Sequence, residues 1–168
     1  MSAVTKTPRL ENAILFFAKN GGIDVGKKKL AKLLYFADFT AYEASEKPIT
    51  EVGYTKMQYG PMPEPKTFYS VLLDMKKANL IEMDPNEDAA LHGIIALAEP
   101  QMDIFDESET KLMQAIAETY KNNFGGQLEK IAQSEAPYIM ADSKKQIPYH
   151  FAFYRNTFGQ MNLGDESN

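Results

Sequence analysis

The stretch "LLYFADFTAY", residues 33–42, is apolar or aromatic at almost every position. A helix that is hydrophobic all round is normally enclosed by other elements, so this stretch predicts a central, buried helix. Asp38 is its only charged residue. Because an unpaired buried carboxylate is strongly unfavourable, we expect Asp38 to be hydrogen-bonded or paired, with Lys56 or a tyrosine hydroxyl as its partner.

The flanking residues predict where this central helix begins and ends. Asp24 is a plausible N-cap, and "KPIT", residues 47–50, ends the helix, because the residue before a proline avoids the helical conformation. The helix then runs to about Ser45. Before it, apolar residues recur at helical spacing and predict a first helix over residues 8–20, which a glycine pair at 21–22 ends.

A strand and a third helix are predicted next. Residues 53–59 alternate in the manner of a strand. The glycine and prolines of "YGPMP", residues 59–63, then predict a rigid strand-to-helix corner. The third helix covers about residues 65–79, with Pro65 in its first turn. Its predicted buried stripe consists of Phe68, Val71, Leu72 and Met75.

The second half of the chain predicts shorter elements. "NLIEM" and "HGIIALAE" indicate two strands around an Asp-Pro-Asn turn, and a helix followed by such a hairpin is similar to the end of a winged-helix unit. A capping box of Asp106 and Glu109 opens a fourth helix to about residue 123, which a glycine pair at 125–126 ends. A short helix follows over about residues 127–134, and a last helical piece starts near Pro148.

These elements predict a mainly α (α+β) fold: a single compact helical domain with a small β-strand or hairpin element, winged-helix-like in part. We expect the domain to span residues 1–160 and residues 161–168 to form a flexible tail.

The composition excludes several classes of protein. The chain has 168 residues, 44% of them hydrophobic, a formal charge of −5 and no cysteine. Disulfides, thiolate metal sites and cysteine nucleophiles are therefore excluded. No apolar run is long enough to cross a membrane, and the N-terminus lacks the apolar region of a secretion signal. We expect a cytoplasmic protein without a membrane partner.

No catalytic pattern is found. The two histidines, His92 and His150, do not belong to a metal-ligand spacing, and the chain has no nucleophile elbow, no G-x-G-x-x-G and no P-loop. The sequence therefore predicts a protein that is not an enzyme and binds no metal or cofactor.

Two kinds of binding remain open. A basic group could hold nucleic-acid phosphates in spite of the acidic total, or could simply be a solvated surface; it consists of Lys27, Lys28, Lys29, Lys32, Lys76 and Lys77, with Lys144 and Lys145 as a further pair. Tyr59 and Met62, which we expect to be exposed near Tyr54, are residues favoured at protein interfaces. They could equally serve only to build the corner.

Three segments, in a fixed order, resemble a known family. "KLLYFAD" at residues 32–38, "KPIT" at 47–50 and "YTKMQYGPMP" at 54–63 are similar to the signature of the Panacea domain, the SocA-like antitoxin family that includes phage-associated GepA-like proteins. "IPYHFAFYR", residues 147–155, resembles the closing segment of that family. The chain departs from the pattern at Glu46 and Lys47, where a glycine is common, and at Lys56, where a small residue is usual.

The resemblance implies a small, mainly helical cytoplasmic domain without catalytic activity that neutralises a cognate protein toxin by binding it. It further implies that a member can act as a proteolytic adaptor, with a protease or its unfoldase as a second partner. The rival hypothesis is a winged-helix-like DNA-binding regulator of a toxin–antitoxin or phage operon, which requires the lysines to form one contiguous surface. The hypothesis for the toxin-binding site comprises Tyr35, Asp38, Tyr54, Tyr59, Gly60, Pro61, Met62 and Pro63.

Overall fold

The computed structural model describes residues 7–83 and 93–155, apart from the side chain of Thr7. The helices are α1 (Thr7–Asn20), α2 (Lys27–Ser45), α3 (Pro65–Lys77), α4 (Glu107–Tyr120), α5 (Gly125–Gln133) and α6 (Ala136–Met140), with 3-10 helices at Met102–Ile104 and Tyr149–Tyr154. The strands are β1 (Tyr54–Met57), β2 (Gly60–Pro63), β3 (Ile81–Glu82), β4 (Ile95–Ala96) and β5 (Gln146–Ile147). This confirms the mainly α (α+β) fold. The predicted Asp-Pro-Asn turn, His92 and the tail over residues 161–168 lie outside the described residues.

Helix α2 is the centre of the protein, as its sequence predicts. Its residues from Leu33 to Phe39 are all buried. Helices α1, α4 and α5, strand β2 and the 3-10 helix Tyr149–Tyr154 pack around it. Because these elements cover α2 from several sides, apolar side chains are favourable around its whole circumference.

The end of α2 at Ser45 agrees with the prediction, but its start differs from the expectation. The N-cap is Gly26, without a side-chain hydrogen bond, so the prediction of Asp24 as N-cap is wrong. Asp24 has a positive φ of 47°, and its carbonyl accepts the N–H of Gly26 at 2.9 Å. At the other end Glu46 takes the left-handed conformation and donates its N–H to Tyr42 O. The helix is therefore closed just before "KPIT".

The "YGPMP" segment contains a strand and is not the predicted corner. Residues Gly60–Pro63 form β2, which pairs antiparallel with β1 at the edge of a sheet ordered β2–β1–β5. Lys56 of β1 donates its N–H to Lys145 O and accepts the N–H of Lys144, both on the side away from β2. Pro61 stands opposite Lys56, where β2 has no donor to supply. An edge strand is a position where a sheet tolerates proline.

The remaining elements largely follow the predictions. The buried residues of α3 are the four expected, Phe68, Val71, Leu72 and Met75. Strands β3 and β4 pair antiparallel, and Asp106 and Glu109 form the capping box of α4. The glycine pair at 125–126 was expected to end α4 but lies in the first turn of α5, where the Gln127 side chain accepts the N–H of Phe124.

The turn between α1 and α2 is docked on the end of α4. Ile23 donates its N–H to Lys121 O at 2.8 Å. Gly22 has a φ of +88°, and a Cβ built on it would lie 2.0 Å from that same carbonyl oxygen. Only glycine fits this close approach of two backbones.

The substitution Gly22→Ala is therefore expected to lower the free energy of unfolding by about 2 kcal/mol or more, through backbone strain and the clash with Lys121. Urea denaturation measures this quantity. Gly126→Ala is the matched control, because no atom lies within 4 Å of the Cβ position there, and alanine in a helix is favoured over glycine by up to about 1 kcal/mol. Equal destabilisation by both variants would contradict the docking of this turn.

Candidate functional site

The Asp38 carboxylate lies fully buried on α2 and accepts three hydrogen bonds from residues that follow the helix. Thr50 donates its backbone N–H to Oδ1 at 2.7 Å and its hydroxyl to Oδ2 at 2.5 Å. Tyr54, the first residue of β1, donates its hydroxyl to Oδ2 at 2.5 Å. The prediction of a tyrosine partner is confirmed. These bonds fix the "KPIT" segment and β1 onto α2.

Burial governs the electrostatics of this cluster. It raises the pKa of the Asp38 carboxyl to about 6, although the hydrogen bonds from Thr50 and Tyr54 oppose the rise. Burial, followed by the nearby Asp38 charge, also raises the pKa of Tyr54. The tyrosine therefore remains a hydrogen-bond donor at neutral pH. A carboxylate enclosed in this way has a positioning role and does not reach a partner molecule.

Helices α5 and α6 hold the β1–β2 hairpin at three points. The Tyr138 hydroxyl donates to Met57 O at 2.7 Å, and the Gln133 amide donates to Gln58 O at 3.1 Å. Lys56, the alternative partner predicted for Asp38, instead donates to Ala141 O at 3.1 Å, with its ammonium 4.6 Å from the centroid of the Tyr138 ring. Of the two partners left open for Asp38, Lys56 is therefore not the one used, because Ala141 O and the Tyr138 ring hold its ammonium while Thr50 and Tyr54 bond Asp38.

The tip of this hairpin presents an aromatic surface. Tyr59 is 57% exposed, and Phe124, at the start of α5, is 52% exposed. Lys28 connects the two: its stem passes 3.3 Å from the position that a Cβ on Gly125 would take, and its ammonium lies 5.6 Å from the Tyr59 ring centroid. We call this surface the hairpin face; it consists of Lys28, Gln58, Tyr59, Phe124, Glu129 and Gln133.

Only one residue of the predicted toxin-binding set lies at the surface. Tyr59 is exposed, whereas the others are buried: Tyr35, Asp38, Tyr54, Gly60, Pro61, Met62 and Pro63. The expectation that Met62 is exposed is wrong, because β2 packs against α2 and α5. The seven buried residues pack inside the fold, and Tyr59 is the member of the set that is exposed to solvent.

The predicted basic surface is interrupted. Lys29 and Lys32 are 1% and 2% exposed, so neither forms the solvated face nor the phosphate-binding face considered from the sequence. The Lys29 ammonium donates to Ile23 O at 2.7 Å and to Lys121 O at 3.3 Å. These two hydrogen bonds connect the α1–α2 turn to the end of α4. Lys27 and Lys28 are left as the accessible lysines at the start of α2.

A second buried network was not found from the sequence. Arg155 donates to both carboxylate oxygens of Glu135, and also to Glu43 and to the hydroxyl of Thr40. The Tyr35 hydroxyl donates to Glu135 at 2.8 Å. The network joins Arg155, which follows the 3-10 helix Tyr149–Tyr154, to α2 and to the start of α6. Sequence reasoning missed it because its residues lie 20 to 115 positions apart.

The structure offers no centre for metal chemistry in the residues it describes, where no group of three or more histidine, cysteine or acidic side chains is placed to hold an ion. Over the same residues, none of the helices combines the length and the apolar character needed to span a bilayer. In the same part of the chain, two buried carboxylate oxygens accept no hydrogen bond: one belongs to Glu43 and the other to Glu129.

Comparison with known proteins gives one positive finding. A family model described as antitoxin SocA-like, Panacea domain, matches residues 30–138. The match runs from α2 to α6 and includes the Asp38 cluster and the hairpin, but it ends before Arg155. Neither the curated proteins nor the solved structures gave a match.

The raised pKa of Asp38 predicts a pH-dependent stability. Because the folded-state pKa of about 6 exceeds the ordinary value of 3.8, the stabilisation is fully present below about pH 4 and is lost as the pH rises through 6. Between pH 7 and pH 4 the free energy of unfolding of the wild type should therefore rise by roughly 2 kcal/mol relative to that of Asp38→Asn. Urea denaturation at several pH values measures this difference. A difference that does not change with pH would contradict the assigned shift.

Removal of the arginine from the second network should strongly destabilise the fold. Arg155→Met leaves the carboxylates of Glu43 and Glu135 close together and without a cation, which should lower the free energy of unfolding by about 3–5 kcal/mol. Lys121→Met is the control, because its ion pair with Glu118 is exposed and is worth at most about 1 kcal/mol. Similar losses in the two variants would show that Arg155 is not a structural centre.

Proposed function

The chain belongs to the antitoxin SocA-like, Panacea domain family, and on this premise we propose that it is an antitoxin-type module that neutralises a protein toxin by binding it directly. Neutralisation of this kind needs a stable surface complementary to the toxin and no catalytic group. The family supports an antitoxin-type role, and in this proposal the choice of toxin depends on the surface that this chain presents.

The observation that supports the proposal is the exposed pair of aromatic residues on the hairpin face. Tyrosine and phenylalanine are among the residues enriched in the buried centres of protein interfaces. Tyr59 follows directly on backbone that Gln133 and Tyr138 hold in place, so little conformational entropy is lost when a partner covers it. The ring also rests beside the Lys28 ammonium.

The buried residues of the signature have a supporting role in this proposal. Asp38 orients Tyr54 and thereby β1, and β1 carries β2 as its edge partner. Pro61 and Pro63 restrict the backbone immediately after Tyr59. A toxin would thus contact the tip of a hairpin whose position is set from within the fold.

Two finer possibilities have separate readouts. If the chain is also a proteolytic adaptor, the toxin should disappear faster in its presence, and this loss should require a protease or its unfoldase. If the chain is instead a DNA-binding regulator, it should bind an operon duplex with an affinity that falls steeply as salt rises. Burial of Lys29 and Lys32 removes two of the lysines on which that hypothesis relied.

The experiment begins with a tagged pull-down from the native cell and expression of each captured protein alone. The proposal is supported if a captured protein arrests growth when expressed alone and if co-expression of this chain relieves the arrest. The absence of any such protein, with nucleic acid recovered instead, would overturn it.

The double variant Tyr59→Ala/Phe124→Ala tests the assigned surface. We expect it to weaken toxin binding at least about a hundredfold and to abolish growth rescue, since aromatic hot spots contribute about 2 kcal/mol or more each. Ile139→Ala is the matched control, because Ile139 is equally exposed but lies on α6. Unfolding measured by circular dichroism should be unchanged in both. Full rescue by the double variant would move the binding surface elsewhere.

A further inference from the structure

Two lysines, Lys28 and Lys32, lie close to the Glu129 carboxylate of the hairpin face. Lys28 Nζ lies 3.0 Å from Glu129 Oε1, yet this oxygen is buried and receives no hydrogen bond from any described residue. Lys32 lies one turn further along α2 with its side chain against Gly60, where a Cβ would approach its Nζ to 3.4 Å. The two ammonium groups therefore outnumber the single carboxylate next to them.

The inner lysine is held in an unfavourable environment. Burial lowers the pKa of the Lys32 ammonium to about 8; Glu129 on α5 opposes the shift and Lys28 on α2 adds to it. The Gly60 backbone of β2 lies against the end of the Lys32 side chain. A second negative charge near Glu129 would relieve the excess of positive charge.

The outer part of the same surface is also positive. Lys28 is about half exposed and lies in the first turn of α2, where the helix dipole adds positive potential. The N-terminus of α5 meets this region, with the Cβ position of Gly125 3.2 Å from Lys29 N. The chain as a whole carries a charge of −5. The local sign is thus opposite to that of the whole molecule.

We propose that the hairpin face binds an acidic segment of its protein partner, in which an Asp or Glu carboxylate draws Lys28 away from Glu129. An apolar side chain beside that carboxylate packs on Tyr59 and Phe124. Glu129 is then left to pair with Lys32 alone. This inference rests on the proposed function and adds to it the chemistry that the toxin must present.

A protein fits this surface better than a nucleic acid. The accessible positive charge beside Tyr59 is that of Lys28, and the chain repels polyanions at longer range through its net charge. A short acidic and apolar segment matches both features. Competition by a DNA duplex is included below as the contrary outcome.

The exchange of partners couples binding to protonation. Because Lys32 gains Glu129 in the complex, its pKa rises on binding, and the complex takes up a proton at pH values near the free pKa of about 8. Affinity should therefore fall between about pH 7 and pH 9, by up to about tenfold for each pKa unit that Lys32 gains.

The test uses two blocked pentapeptides, Glu-Phe-Glu-Leu-Glu and Lys-Phe-Lys-Leu-Lys, titrated into the full chain and followed by calorimetry and by amide NMR. We expect only the glutamate peptide to bind, with shifts at Gly60 and Gly125. Lys28→Glu should abolish the binding. Lys111→Glu, which makes the same charge change on α4, should leave it nearly unchanged. Lys32→Met should remove the dependence on pH, and the NMR spectrum verifies that each variant is folded.

Any of three results would overturn the inference: the lysine peptide binds equally well, the glutamate peptide does not bind, or a DNA duplex displaces the glutamate peptide. So would an affinity that Lys28→Glu does not change. These results are distinct from failure of the proposed function: a chain that rescues growth from its toxin but ignores the acidic peptide refutes only the chemistry of the partner. A chain that binds the acidic peptide through Lys28 but has no toxin refutes only the antitoxin role.

Discussion

The buried carboxylate of Asp38 is the interaction on which the rest of the structure depends. Its two oxygens accept hydrogen bonds from Thr50 and Tyr54. Thr50 lies in the loop that follows α2, and Tyr54 is the first residue of β1. A buried carboxylate is tolerated only when its hydrogen-bonding capacity is met. The same charge that would destabilise an unpaired site thus selects one arrangement of loop and strand, and it links the central helix to the hairpin.

The hairpin shows how local chemistry becomes a recognition surface. Pro61 is tolerated because it stands opposite Lys56, whose backbone groups bond toward β5. Hydrogen bonds from α5 and α6 reach the other strand of the hairpin. The chain between these two supports has little freedom, and Tyr59 lies there. A rigid hairpin and an exposed ring are the combination that limits the entropy lost on binding.

Charge is distributed unevenly inside this acidic protein. At the C-terminal end of the described chain, one cation, Arg155, serves the carboxylates of Glu43 and Glu135. Under the hairpin face the ratio is reversed, with Lys28 and Lys32 beside Glu129. The first arrangement is enclosed and hydrogen-bonded on most of its atoms, which suits a structural role. The second borders on solvent, where Lys28 is about half exposed, which suits a role in recognition.

The sequence by itself determined the central helix, the buried stripe of α3 and the capping box of α4, because helical periodicity and capping act over short separations. For Asp38 it predicted that the buried charge must have a partner, but it left Lys56 and a tyrosine hydroxyl open. It also carried the family signature. Only the tertiary structure decided that "GPMP" pairs as an edge strand, that Lys29 and Lys32 are buried, and that Lys28 reaches the Tyr59 ring. Those outcomes depend on contacts between residues distant in the chain, for which neither spacing nor residue type gives a local signal.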